Sequence, residues 1–267
     1  MYYDYHMHCS FSDDSNTPME DMINKSIELG LKEICFTDHV DYSIITNNIE
    51  EDHTVDYNEY FRNIEYFQNK YKDKIIIKRG IEMGLQNHTL YKCMEDIEKN
   101  EFDFVIASIH TINKLDLIER HFYKDKSQFE AYRQYYEILY NMIREFKNYS
   151  VLGHVDCVKR YGNLNNIIDD KVFSDEIDEI LKMAIYDGKG IEINTSSFRY
   201  KLPDLTPSSY ILKRYKELGG EIITTGSDSH NPAQVAHEFN RIYKGLEEMG
   251  YRYICTFDKM NPNFIKL

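Results

Sequence analysis

The sequence predicts an α/β fold, a closed or nearly closed parallel β/α barrel of seven or eight units, in one domain spanning residues 1–267. Three observations predict it. Short apolar runs of β type alternate with segments of helical periodicity along the whole chain. Alternation of that kind implies parallel strands joined by right-handed crossovers. No Pro- or Gly-rich linker, repeat or low-complexity tract divides the chain, and 267 residues suits a barrel, which often runs to roughly 250 residues as one unit. A doubly wound open sheet is the structural alternative. Its nucleotide-binding version has no support, because neither G-x-G-x-x-G nor G-x-x-x-x-G-K-S/T occurs.

In chain order the β-type runs are Tyr2–Cys9, Glu33–Thr37, Ile75–Glu82, Phe104–Ile109, Val151–His154, Gly190–Asn194 and Ile222–Thr225. An eighth, Tyr251–Phe257, ends the chain. The helical segments between them are Pro18–Leu29, Tyr57–Tyr71, Leu90–Lys99, Phe129–Phe146, Ser174–Tyr186 and Ser208–Leu218. Asn16-Thr17-Pro18 is a helix start with Pro in the first turn, and Thr206-Pro207 repeats it. Gly30 and Gly219-Gly220 stand where helices should stop.

Composition narrows the partners. Asp and Glu number 45 against 32 Lys and Arg, a net charge of −13. Duplex nucleic acid is disfavoured, since phosphate backbones call for a basic face; clustered carboxylates suit bound cations instead. The five cysteines are scattered and form no C-x-x-C, which points to a reducing cytoplasm rather than a disulfide framework. No apolar run approaches ~18 residues, so no membrane span is expected. Met1 leads straight into β-type sequence without a signal peptide.

The chemistry lies where the strands end. The first run ends in His6-Met7-His8, and residues two apart in a strand face the same side. The second ends in Thr37-Asp38-His39, the third in Glu82, the fourth in His110 and the fifth in His154. The last internal run leads into Gly226-Ser227-Asp228-Ser229-His230. Taken singly, each has a bland reading: a satisfied core histidine, a capping Asp38, or a Glu82 paired with Arg79. Together they place six of the ten histidines at the strand ends that form the active face of a β/α barrel, and independent core histidines have no reason to choose that end. His53, His88, His121 and His237 fall in loops or helices and are read as structural or solvent-exposed. Strand parity turns Cys9 and Cys157 away from the site. Imidazole and carboxylate without thiolate suit zinc, iron or manganese alike.

This series, with Ser108-Ile109-His110 and Gly153-His154, resembles the PHP (polymerase and histidinol phosphatase) superfamily over the whole chain. The resemblance implies a distorted seven-stranded, TIM-like β/α barrel holding two to three divalent ions. One ion would take His6, His8, Glu82 and Asp228; a second would share Glu82 and add His110 and His154. A third would take His39, His230 and Asp14, where many relatives carry histidine. Val151-Leu152-Gly153-His154-Val155-Asp156 with Lys159-Arg160-Tyr161-Gly162, and Glu192-Ile193-Asn194-Thr195-Ser196-Ser197 with Phe198-Arg199, are similar to the histidinol-phosphatase subfamily.

The resemblance implies hydrolysis of L-histidinol phosphate, in histidine biosynthesis, by attack of a metal-bridging hydroxide. Arg160 and Arg199 follow strands at the metal end, and a guanidinium matches phosphate oxygens bidentately. They are read as substrate-binding and catalytic, Asp228 as a candidate proton carrier, and Asn194, Ser196 and Ser197 as neutral substrate contacts. Asp38 is read as orienting a ligand, and Lys159 as either near substrate or facing solvent. The long connection from Thr111 to Ala131 is expected to form a lid. Another small phosphate ester or nucleotide is the alternative substrate. A non-catalytic module like the PHP domains of DNA polymerases is the alternative class. A monomer or small homo-oligomer is expected.

Overall fold

A computed structural model describes residues 1–46 and 49–267. Its strands are β1 (Tyr3–Met7), β2 (Glu33–Phe36), β3 (His39–Thr46), β4 (Ile49–His53), β5 (Ile76–Gly84), β6 (Phe104–Ser108), β7 (Thr111–Ile112), β8 (Leu115–Asp116), β9 (Val151–Leu152), β10 (Gly190–Asn194), β11 (Ile223–Gly226), β12 (Tyr253–Asp258) and β13 (Asn261–Lys266). Its helices are α1 (Met19–Glu28), α2 (Tyr57–Tyr71), α3 (Leu90–Lys99), α4 (Gln128–Glu145), α5 (Ser174–Tyr186), α6 (Ser209–Glu217) and α7 (Phe239–Glu248). The seven predicted runs supply β1, β2, β5, β6, β9, β10 and β11, which pair in that order and in parallel.

The ring meets at one rim only. Asp228 N donates to His6 O at 2.7 Å and His8 N to Ser229 O at 2.8 Å, so β1 joins the residues just beyond β11. Lower down the seam is a side-chain bond, Thr225 Oγ1 to Tyr3 O at 2.7 Å. This uneven closure is the distortion of the barrel, and it brings the first and last site segments together.

The eighth predicted run does not enter the barrel. β12 pairs antiparallel with β13 across the two-residue turn Lys259-Met260, both residues with positive φ as a twisted hairpin requires. With β1 already joined to the β11 end, no parallel neighbour is left for it. Cys255 and Phe257 instead pack on Tyr5, Cys35, Phe104, Ile106 and Val151, plugging the barrel interior with a small apolar core. Burial of this kind is worth about 1.5–3 kcal/mol per large side chain.

Two further differences matter for the site. The chain after β2 is not a turn. It steps outward at Thr37-Asp38 and resumes as β3, so β5 is flanked by Glu33–Phe36 along its first half and His39–Asp41 along its second. The connection from Thr111 to Ala131 is ordered as the hairpin β7–β8, a short 3-10 helix at His121–Tyr123 and the start of α4. Helix α7 has no counterpart in the predicted elements, although Phe239, Ile242 and Leu246 bury one face at helical spacing. The start signal at Thr206-Pro207 is displaced by two residues: the N-cap is Ser208, whose Oγ accepts from Ile211 N. At the other end of a helix, Gly30 does adopt the positive φ (+75°) of a stop signal. Among the described residues no helix is long and apolar enough to cross a membrane.

Candidate metal centre

Glu82 is the hub. It leaves β5 fully buried, and both oxygens face imidazoles: Oε2 lies 2.9 Å from His6 Nε2, 3.2 Å from His39 Nδ1 and 3.6 Å from His8 Nε2. Oε1 lies 3.1 Å from His110 Nε2 and 2.9 Å from His154 Nε2, and accepts from Ser108 Oγ at 2.6 Å. Arg79, three residues earlier and so on the opposite face of the strand, turns outward to Glu65 and Phe61 and does not pair with Glu82. Burial alone raises a carboxyl pKa, but His6, His110 and His39 hold that of Glu82 well below its ordinary value.

The nine sequence-predicted ligands fall into groups whose donor atoms lie within 4.8 Å of one another: His8, Asp14, His39 and His230; His6, His8 and Asp228; Glu82, His110 and His154. A further group, His39, Asp41 and His110, adds a carboxylate that the sequence reading missed. Asp14 is half-exposed, with Oδ2 2.8 Å from His230 Nε2 and 3.5 Å from His39 Nε2. Asp228 takes a left-handed φ of +53°, rare outside glycine and costly unless the surroundings impose it. Arg199 imposes it here, donating to Ser227 O at 2.8 Å and Asp228 O at 2.5 Å.

His8 Nε2 is buried with no hydrogen-bond partner among the described residues. His8 also stacks between His39 and His230 at 4.2 Å each. Burial, then the charges of His230 and His39, press its pKa well below the ordinary value, so the ring stays neutral with a lone pair aimed into the group. An orphaned buried nitrogen costs about 1–3 kcal/mol unless something engages it, and a divalent cation does. The all-nitrogen-and-oxygen donor set fits.

Carboxylates and hydroxyls on the far side of the rings orient them, as is usual for histidines that bind metal. Glu192 Oε1 lies 2.5 Å from His6 Nδ1 while its Oε2 accepts from His154 N at 3.0 Å. Asp41 Oδ1 lies 3.0 Å from His110 Nδ1. Asp38 acts through Ser12: Ser12 Oγ donates to Asp38 at 2.8 Å and lies 3.1 Å from His8 Nδ1. Glu192 and Asp41 carried a signal in sequence, an acid two residues from a site residue within a strand, Asn194 for one and His39 for the other. Cys9 and Cys157 are buried and belong to none of the groups.

A cavity of ≈ 280 Å³ opens above the groups, lined by Arg160, Tyr161, Tyr200, Asp116 and Ile118 among others. Arg160 Nη2 donates to Ser196 Oγ at 2.6 Å and to Asn194 Oδ1 at 3.3 Å, and its guanidinium lies 4.8 Å from the centre of the Tyr200 ring. Asn194, Ser196 and Ser197 have zero exposure. Read from sequence as direct substrate contacts, they stand instead behind the cavity wall, where Asn194 and Ser196 hold Arg160 and Asp228 in place. Lys159 faces neither solvent nor cavity, being buried between Asp156 at 2.7 Å and Asp170 at 2.5 Å. His53, read as merely structural or exposed, lines the cavity and pairs with Asp13 at 2.6 Å.

Fold and rim together define an α/β barrel that gathers histidines and carboxylates into groups able to hold metal ions. Residues 4–196 match the PHP domain family, and the chain belongs to that family. It is 34% identical over 259 residues to the histidinol-phosphatase of Lactococcus lactis subsp. lactis, spanning 96% of this chain and 94% of that protein. It is 33% identical over 250 residues to the probable histidinol-phosphatase of Clostridium acetobutylicum, spanning 92% and 93%. The crystal structure of the L. lactis histidinol phosphate phosphatase, complexed with zinc, L-histidinol and phosphate, matches with a TM-score of 0.90 at 32% identity over 98% of each chain.

Proposed function

We propose that this protein hydrolyses L-histidinol phosphate to L-histidinol and phosphate in a metal-dependent reaction. The observation that carries the reading is the coincidence of metal-binding groups around Glu82 with a buried arginine at the cavity wall. Full-length similarity to a phosphatase crystallised with zinc, L-histidinol and phosphate supports the substrate.

His6, His8, Glu82 and Asp228 would hold one cation, Glu82, His110 and His154 a second, and His39, His230 and Asp14 a third; zinc, iron and manganese all fit. Divalent cations supply Lewis acidity, which neutralises phosphate charge and makes water a nucleophile at neutral pH. The chain's own residues do the rest. Arg160, fixed on one nitrogen by Ser196 and Asn194, turns its remaining N–H groups to the phosphoryl oxygens, where charge shifts in the transition state. Arg199 spends two of its N–H groups on the Asp228 segment and offers the others as a second, weaker clamp. Asp228 borders both the imidazoles and Arg160. Burial raises its pKa, but His6, His8 and Arg160 together hold it well below the ordinary value. A carboxylate held so far below the ordinary range is ionised at neutral pH, which suits it to pair with a cation and with Arg160 rather than to draw a proton from water.

Five buried, unpaired cysteines support a reducing compartment such as the cytoplasm. The test is phosphate release from L-histidinol phosphate by purified protein, with metal content measured on the same sample. Selective release with two to three metals per chain is expected. Full metal loading without release would move the reading to another phosphate ester.

A further inference from the structure

Among the acids lining the cavity, four kinds of partner account for nearly all. Glu82 and Asp228 face the histidine cluster, Asp14 faces His230 and His39, Asp41 faces His110, and Asp13 faces His53. Asp116 is different. It lies on β8, opposite Thr111 in the β7–β8 hairpin, one residue past His110, and lines the same cavity. Its Oδ1 accepts from Ile118 N at 2.7 Å, and among the described residues no Lys, Arg or His forms an ion pair with it. Ile44, Ile118 and Tyr161 line the cavity with it. Burial raises the Asp116 pKa, and the Ile118 N–H and His110 offset this only in part.

An unpaired carboxylate beside a site that receives a phosphate dianion repels most esters. It suits one that brings its own cation. We propose that Asp116 determines specificity by binding an ammonium group on the carbon next to the ester carbon, so that the cavity selects phosphate esters of β-amino alcohols. The inference rests on the L-histidinol phosphate reading, whose alcohol carries such an amine, protonated at neutral pH. The selection works in both directions: it attracts the aminated ester and penalises those without a cation.

The test compares kcat/KM of holoenzyme for two matched pairs: L-histidinol phosphate against 3-(imidazol-4-yl)propyl phosphate, and phosphoethanolamine against ethyl phosphate. Within each pair only the amine differs. In Asp116→Asn the aminated-to-deaminated ratio should fall about 10-fold or more, the usual worth of a charged hydrogen bond, chiefly through KM; Asp116→Glu should recover part of it. A ratio within twofold of wild type overturns the inference, and so does an equal loss on both members of a pair, which marks a structural role. If wild type shows no preference for L-histidinol phosphate, the substrate reading fails. The phosphoethanolamine pair then decides separately: a ratio lost in Asp116→Asn upholds Asp116, and a ratio of one in wild type overturns it.

Discussion

Replacing Glu192 by glutamine changes almost no volume, yet the hydrogen bonds around it do not survive the change. Glu192 is 1% exposed and its two oxygens meet three donors: His6 Nδ1 at 2.5 Å, His154 N at 3.0 Å and Asn194 Nδ2 at 3.2 Å. Glutamine keeps one acceptor oxygen and presents an NH₂ in place of the other. At least one buried N–H then loses its acceptor and faces another donor, a cost of about 1–3 kcal/mol. The charge-assisted bond to His6 is lost in either amide orientation. Because the affected donors sit on, or next to, two metal-binding histidines, the loss should fall on metal affinity, by about 10–100-fold for an orienting group of this kind. Zinc affinity is measured by competition with a chromogenic chelator, alongside the melting temperature in excess zinc. Turnover should recover largely at saturating zinc. A Glu192→Gln protein that binds zinc within twofold of wild type would falsify the orienting role.

Arg160→Ala should lower kcat/KM for the preferred ester about 10–150-fold, equivalent to roughly 1.5–3 kcal/mol for a charged hydrogen bond; steady-state kinetics showing less than a twofold change would remove Arg160 from the phosphate clamp. Chelator treatment should abolish turnover and lower the melting temperature, with both restored by zinc, because the apo site leaves His8 Nε2 buried without a partner; activity that survives a verified metal-free preparation contradicts this. Gly226→Ala should destabilise the fold and weaken metal binding together, since a Cβ there would stand 2.2 Å from Glu192 Oε1 and 2.4 Å from His6 Cβ; a variant with wild-type melting temperature and zinc content argues against the crowding. All five cysteines are buried; burial lifts the thiols of Cys93 and Cys255 to about 12 and about 11, whereas His154 and Arg160 outweigh burial at Cys157 and draw its thiol below the ordinary value, so that its protection rests on inaccessibility. A thiol reagent at pH 8 should therefore find no fast-reacting group in native protein and five after denaturation; prompt native labelling refutes it.

Much of the site was legible because its signal is one-dimensional. A parallel barrel puts its chemistry at the C-terminal strand ends, so a metal-capable residue at the end of successive apolar runs shows in the sequence without any knowledge of packing. His6, His8, Glu82, His110, His154, Asp228 and His230 follow that rule, and the structure brings them together. Where the rule weakens, so does the reading. Thr37-Asp38-His39 reads as the end of a single strand because it closes one strand and opens another on the same neighbour, which hides Asp41 and the antiparallel pair β3–β4. Helix α7 starts from Glu238 at positive φ with no side-chain cap, so the usual start signal is absent. Asn194, Ser196 and Ser197 sit in a segment rich in hydrogen-bonding groups, and composition alone does not say whether such groups face a ligand or a neighbouring side chain.

Local order, then, was determined by the sequence itself: the strand and helix alternation, six helices within about two residues of their ends, the acidic balance, and which residues could donate to a metal. Those properties depend on periodicity and residue type over a few positions. The tertiary structure alone decided that β12 plugs the barrel instead of joining it, that Lys159 is buried between two aspartates, that Arg199 braces the Asp228 backbone while Arg160 faces the cavity, and that among the described residues Asp116 forms no ion pair. Apart from Lys159 with Asp156, these are contacts between residues well separated in the chain, up to Tyr5 with Phe257. Local preference carries no information about them, because they are set by which surfaces remain unpaired once the ring of strands has closed.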